Sequence, residues 1–151
     1  MSTIREIHPE ESIPYSLLLL ADEERTVVDK YIENAIIYLY FSEGHPLGVC
    51  AVERINDDVQ EIKNLGIHPE HRQKGIGRKL LRFALTQAAG AGYSYVDVGT
   101  ADTSDVSQKL YTSEGFEHHA TRPDFFLTHY SQPVFENGKQ CRDMVVYRKE
   151  I

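Results

Sequence analysis

Leu65-Gly66-Ile67-His68-Pro69-Glu70-His71-Arg72-Gln73-Lys74-Gly75-Ile76-Gly77-Arg78-Lys79-Leu80-Leu81 reads as the end of an apolar strand, a glycine-bearing turn and the start of an amphipathic helix. Five of the sixteen Lys and Arg residues fall between Arg72 and Arg82, in a chain of net charge −7. A basic island at a helix start calls for an anion, because the first turn exposes unpaired N–H groups and a partial positive charge. Gly75 and Gly77 have no Cβ, so the backbone there can approach a ligand closely or adopt positive φ.

Two common phosphate loops are excluded. No GxxxxGK[ST] is present, so this is not a P-loop. The third glycine of a dinucleotide fingerprint is also missing. The stretch Arg72-Gln73-Lys74-Gly75-Ile76-Gly77 instead resembles the acetyl-CoA-binding motif of the GNAT N-acetyltransferases, [Q/R]-x-x-G-x-[G/A], and matches it in full. Downstream, Leu110-Tyr111-Thr112-Ser113-Glu114-Gly115-Phe116 resembles the L-Y-x-x-x-G-F signature of the same family. The resemblance implies acetyl-CoA as cofactor and an amine as acceptor.

The length of 151 residues suits one domain, and 41% hydrophobic residues are enough for one core. No run approaches the ~20 apolar residues of a membrane span. The N-terminus lacks a signal-peptide core, so a cytoplasmic location and no membrane partner are expected. The negative charge argues against nucleic acid. Cys50 and Cys141 lie in separate apolar segments and read as buried free thiols.

Along the chain, residues 3–7 alternate as a strand. A leucine-rich helix is expected over 14–20, and a second helix with Asp22 as N-cap. Strands follow over 36–41, 47–55 and 59–67, then the motif helix, which Gly90 and Gly92 end. A buried strand is expected over 93–98, a short helix over 105–113, and final strands over 116–121 and 141–148. The predicted fold class is α/β, a mixed sheet in the order βααβββαβαββ with helices on both faces, as the GNAT fold has. Residues 123–140 read as an insertion between the last two strands, with Asn137-Gly138 as a tight turn. They serve either as a cover over the acceptor side or as surface decoration.

Acetyl transfer from a thioester to an amine needs donors for the developing oxyanion, a neutral amine and a stabilised thiolate. A lysine-like amine of pKa ~10.4 is neutral in about one molecule in a few thousand at pH 7. The resemblance implies that Leu65 and Ile67 offer backbone groups to the acetyl and pantetheine portions. It implies that Arg72, Gln73, Lys74, Gly75, Gly77 and Arg78 surround the phosphates. Arg78 and Lys79 read otherwise as a solvated helix face. Tyr111 is the expected partner of the leaving thiolate, against the alternative of a core tyrosine. Full proton donation from a phenol of pKa ~10 to a thiolate of pKa ~8.5 is uphill by roughly 2 kcal/mol, so a hydrogen bond is the expected role.

Ser104, Ser107 and Tyr111 share one helix face. Ser104 and Ser107 are expected near the cofactor, although the family often has Asn at the Ser104 position, and Ser104 serves alternatively as a helix cap. Glu61 is the expected base, since some family members place a glutamate there. Strand parity puts it with Lys63, Leu65 and Ile67 on the cleft side. The alternative for Glu61 is a solvated carboxylate, and Glu53, Asp97 and His119 are further base candidates. No metal site is expected, because the histidines lack ligand spacing.

Acceptor walls are expected from residues 9–35 and 122–141, with Tyr15, Tyr31, Phe125, Phe126, Tyr130, Glu10, Glu11 and Asp124. A small-molecule or peptide amine fits such walls, and exposed strands at the sheet end leave room for a homodimer. Two rivals remain at this level: a non-catalytic acyl-CoA sensor on the same fold, and an α/β domain for another phosphate ligand such as a nucleotide.

Overall fold

The computed structural model describes residues 1–151. Runs of β-branched and aromatic residues form the expected strands: β1 (Ser2–Glu6), β2 (Ala35–Ser42), β3 (His45–Arg54) and β4 (Val59–Ile67). These four make an antiparallel meander. The motif helix α3 (Ile76–Gly90) then crosses over to β5 (Tyr95–Ala101), which runs parallel to β4. Helix α4 (Asp105–Ser113) leads to β6 (Glu117–Arg122), and β9 (Met144–Glu150) inserts between β5 and β6. The seven-stranded sheet has the order β1-β2-β3-β4-β5-β9-β6.

Alternation along the central strands divides two cores. Tyr38, Tyr40, Cys50, Val52 and Ile62 pack with Ile76, Leu80, Leu81 and Ala84 of α3 and with Tyr111 of α4. Ile37, Leu39, Val49 and Ala51 face the other way, onto Leu17, Leu18, Val28 and Tyr31. Burial of Leu80 and Leu81, both with no exposed surface, fixes α3 to the sheet and contributes about 1.5–3 kcal/mol per side chain. No helix is long and apolar enough to cross a membrane.

The first two helices are single turns, α1 (Tyr15–Leu18) and α2 (Arg25–Asp29), shorter than the apolar spacing implies. Asp22 does not cap α2, whose N-cap is Glu24 without a side-chain bond. Its carboxylate is taken by two phenols, as described below. Both cysteines are free and buried, as expected, but Cys141 lies in the loop before β9 rather than in it.

The segment between β6 and β9 carries a short helix α5 (Phe125–His129) and a two-residue hairpin, β7 (Phe135–Glu136) and β8 (Lys139–Gln140). Asn137 and Gly138 turn it with φ of 55° and 74°. Positive φ at both central residues is the hairpin geometry that Asn-Gly favours. This segment packs on α2 through Val27, Phe126 and Tyr130.

Two irregularities shape the centre of the sheet. Pairing of β4 with β5 stops at Ile62 opposite Val98, although β4 runs on to Ile67 and β5 to Ala101. The facing edges of these strand ends are therefore open. In addition, Ala51 pairs with Asn64 while Val52 pairs with Ile62, so Lys63 is an extra residue bulged out of β4.

Candidate active site

The open β4 edge offers backbone groups. His68 N–H donates to the Leu47 carbonyl on the β3 side. Alternation then turns the N–H groups of Leu65 and Ile67 toward the unpaired side. At the strand end the Ile67 carbonyl accepts from Arg72 Nε at 3.3 Å, which folds the turn back over the strand.

The turn ends in a cradle. Gln73 and Gly75 both have positive φ, 62° and 82°, and Gly75 is the N-cap of α3. No side chain caps α3 and its first turn holds no acid. The first N–H groups of a fifteen-residue helix are thus free for an anion. A Cβ placed on Gly77 would meet only Ile67 and Leu110, at 3.9 Å. The fold itself does not require glycine there. The backbone of Gly75 and Gly77 is thus left bare at the helix start, beside the open β4 edge.

Arg78 and Arg82 are not free on the surface. Both guanidinium groups hold Glu114 at the end of α4, Arg82 at 2.6 and 3.0 Å, and Arg78 also donates to Ser113 Oγ at 3.0 Å. The Arg82 hydrogen bond, followed by that of Arg78, holds the Glu114 carboxyl down at about 2. This ties the start of α3 to the end of α4. Arg78 therefore presents its backbone rather than its side chain to the cradle.

Tyr111 projects from α4 into the α3-side core, 5% exposed, with Phe116 and Tyr147 rings tilted against it at 5.9 and 6.2 Å. Burial, then the neighbouring Cys50, raises its phenol above the ordinary value, partly offset by Ser107 one turn back. The group stays protonated and is a hydrogen-bond donor. Ser104 occupies the N-cap position of α4. It is buried and makes no cap bond, and its hydroxyl donates to Glu136 of the small hairpin at 3.2 Å.

The bulge at Lys63 corrects the expected side of Glu61. Leu65 and Ile67 pack with the α3-side core, whereas Glu61, Lys63 and Asn64 all lie on the face of α1 and α2. An extra residue in one strand reverses parity beyond it, so counting by twos from Ile67 fails before it reaches Glu61. Glu61 is 4% exposed and holds two cations, Lys63 Nζ at 2.9 Å and Arg122 at 2.9 and 3.3 Å. Burial pushes its carboxyl up, but the Arg122 hydrogen bond and Lys63 outweigh burial and hold it below the ordinary value.

The other base candidates are placed less well. Asp97 is locked in a fork with Arg148 at 2.7 and 3.0 Å. Glu53 lies 3.8 Å from Lys63. His119 is bulged out of β6 at the sheet edge, three strands from β4.

A hydrogen-bonded network on this face had no local signal in the sequence. Asp22 accepts from Tyr31 Oη at 2.6 Å and from Tyr130 Oη at 2.5 Å. Burial and Asp22 raise both phenols. Asn64 Nδ2 donates to Tyr31 Oη and to the Leu18 carbonyl at 3.0 and 2.8 Å. Its Oδ1 is buried without a protein partner. Ser131 and Gln132 donate three bonds to Glu24 Oε1. The segment after α5 is thereby strapped to the loop before α2. Tyr31 and Tyr130, expected as aromatic wall residues, are buried in the cores with their hydroxyls on Asp22, while Asp22, Asn64 and Arg122 acquire their places only through contacts distant in sequence.

Known proteins share this fold. A family profile described as an acetyltransferase (GNAT) domain matches residues 33–118. An uncharacterised N-acetyltransferase of Bacillus subtilis (strain 168), YvbK, is 37% identical over 131 residues, 87% of this chain and 84% of that protein. The crystal structure of a GNAT family acetyltransferase from Elizabethkingia anophelis with acetyl-CoA bound superposes with a TM-score of 0.96. It is 31% identical and covers 99% of this chain and 98% of its own. An IAA acetyltransferase from Bacillus cereus ATCC 14579 gives 0.95 at 36% identity over the whole of both chains. The chain belongs to the GNAT acetyltransferases.

Proposed function

We propose that this enzyme acetylates a primary amine by direct transfer, with acetyl-CoA entering on the α3 side and the amine on the α1, α2 and α5 side. The observation that carries the reading is the uncapped helix start with bare Gly75 and Gly77 beside the open β4 edge. That edge begins where the two strands part, with Glu61 on the far face. The free N–H groups from Gln73 to Arg78 take the pyrophosphate, with Arg72 and Lys74 adding charge at the turn. The N–H of Ile67, with that of Leu65, pairs with the extended arm as an added strand would.

When bound, acetyl-CoA supplies an activated acetyl thioester. Backbone donors at the open, bulged part of β4 stabilise charge on the acetyl oxygen. Tyr111, held protonated, donates a hydrogen bond to the departing sulfur, and Ser107 orients it. Glu61 is ionised at neutral pH, attracts the ammonium form of the acceptor and draws its proton away, directly or through water. The small hairpin acts on the cofactor side indirectly, through the bond from Ser104 to Glu136.

The test is thermal stabilisation by acetyl-CoA, CoA and ADP, followed by CoA release with a panel of amines. A ligand bound only to the native state at ~100 times its Kd adds about 2.7 kcal/mol, a visible shift. A shift with acetyl-CoA and CoA release with at least one amine support the reading. No shift at millimolar acetyl-CoA sinks it, and a shift with ADP alone points to a nucleotide ligand instead.

A further inference from the structure

We propose that Arg122 is a receptor for an anionic group on the acceptor, so that the favoured substrates are amines that also carry a carboxylate. This rests on the function proposed above. Arg122 stands on β6, and its guanidinium crosses β9 and β5 to reach Glu61 on β4. Met144 supports the crossing. Its sulfur accepts from Arg122 at 3.5 Å and lies over Gly99, where a Cβ would come within 2.4 Å of it. The guanidinium therefore sits where β4 and β5 stop pairing, since Glu61 and Ile62 are the last paired residues of β4. It sits on the face away from α3. The cradle and Tyr111 belong to the α3 side, so an acceptor arrives from the face that Arg122 occupies.

The charges show which cation is spare. Glu61 is neutralised twice, by Lys63 at 2.9 Å and by Arg122 at 2.9 Å. Lys63 is the more enclosed of the two, 22% exposed against 40% for Arg122, and it is shared with Glu53. Arg122 can leave Glu61 for another carboxylate without stranding a buried charge. Leaving a buried carboxylate bare would be costly, and Lys63 prevents that. A guanidinium presents a planar fork that matches a carboxylate with two parallel bonds. Its remaining charged neighbours on this face, Asp97 and Arg148, satisfy each other in a closed fork. A zwitterionic acceptor is then held at both ends, its ammonium by Glu61 and its carboxylate by Arg122.

The experiment compares matched pairs, each an amino acid and its decarboxylated amine, with aliphatic, aromatic and cationic side chains. CoA release is measured for wild type, Arg122→Gln and Arg122→Lys. Wild type is expected to favour the acid-bearing member of at least one pair by about 10- to 100-fold in kcat/KM, mainly through KM. Arg122→Gln brings that ratio close to one, and Arg122→Lys, with the charge but not the fork, falls between. Reading the ratio within each variant cancels any general change in rate.

A second readout needs no turnover: stabilisation of the CoA-bound protein by the N-acetylated amino acid against the N-acetylated amine. Only the acid-bearing product should stabilise wild type, and Arg122→Gln should lose the difference. Unligated melting temperatures and the acetyl-CoA shift report whether the variants fold. Equal ratios for all pairs in both readouts, or an Arg122→Gln ratio equal to that of wild type, overturn the inference. Acetylation of plain amines alone also overturns it while leaving the acetyltransferase reading intact. Failure of acetyl-CoA to stabilise wild type would sink that reading instead.

Discussion

In the proposed function the two sides of the sheet recognise their ligands by different means. On the α3 side the cradle is backbone: free N–H groups at a helix start, two glycines and an unpaired strand edge within residues 65–78. On the α1 and α2 side the site is made of side chains from separate elements: Asp22, Tyr31, Glu61, Asn64, Arg122 and Tyr130. A cofactor shared by a whole family can be read by peptide groups that any sequence supplies, provided glycine keeps the approach clear. An acceptor needs chemistry that differs from one enzyme to the next.

This contrast can be tested hard at Gly77. Gly77→Asp should fold, because its Cβ meets only ordinary contacts. It should lose acetyl-CoA stabilisation and at least about 100-fold in kcat/KM, since a carboxylate would face the phosphates. Gly77→Ala sharpens the point through opposite signs. The unligated protein gains roughly 0.5–1 kcal/mol from better helix propensity, while acetyl-CoA binding weakens. A parallel gain in both measurements would break the backbone-cradle account.

Tyr111→Phe should lower kcat by about 10- to 100-fold with little change in the acetyl-CoA shift, as expected for a donor that acts on the leaving group. Unchanged kcat would return Tyr111 to the core and nothing more. Gly66→Ala probes the seam between the sides. Its Cβ would lie 2.5 Å from the Leu17 carbonyl, so α1 must move, at about 1–3 kcal/mol by urea unfolding. The acceptor KM should rise with it, while acetyl-CoA binding changes less.

Asp22→Asn weakens two phenol bonds and should raise the acceptor KM several-fold without altering acetyl-CoA affinity. A change in cofactor affinity of the same size would show that the two sides are not separate. The smallest effect is expected at Glu114. Its carboxyl is held down at about 2 in the folded protein by Arg82 and Arg78. Its contribution to stability is therefore present above the ordinary carboxylate value and lost as pH falls toward 2. Glu114→Gln should flatten the urea midpoint between about pH 4.5 and 2 by lowering the neutral plateau slightly, with the two proteins converging near pH 2.

Legibility in the sequence follows the same division. Strand β4 and helix α4 begin and end where periodicity places them, because their apolar spacing is local and their turns carry Gly or Asn-Asp. The glycine turn at the start of α3 was legible because glycine positions and charge cluster within a dozen residues. The face of Glu61 was not. A bulge is decided by how two strands share hydrogen bonds, and nothing in Glu61-Ile62-Lys63-Asn64 announces it. Asp22 has the composition of a helix cap and serves another purpose, because tyrosines nine and 108 residues away reach it first. Ser104 likewise is claimed by Glu136, a partner 32 residues away.

Strand β6 ends the sheet with a break in its register, since His119 is skipped between His118 and Ala120. Glu117 and Arg122 place a charge at each end of it. A newly made chain seeking a template for cross-β growth would find an interrupted row of donors and acceptors there. The kink that removes His119 from the ladder thus makes this border a poor template for a further strand.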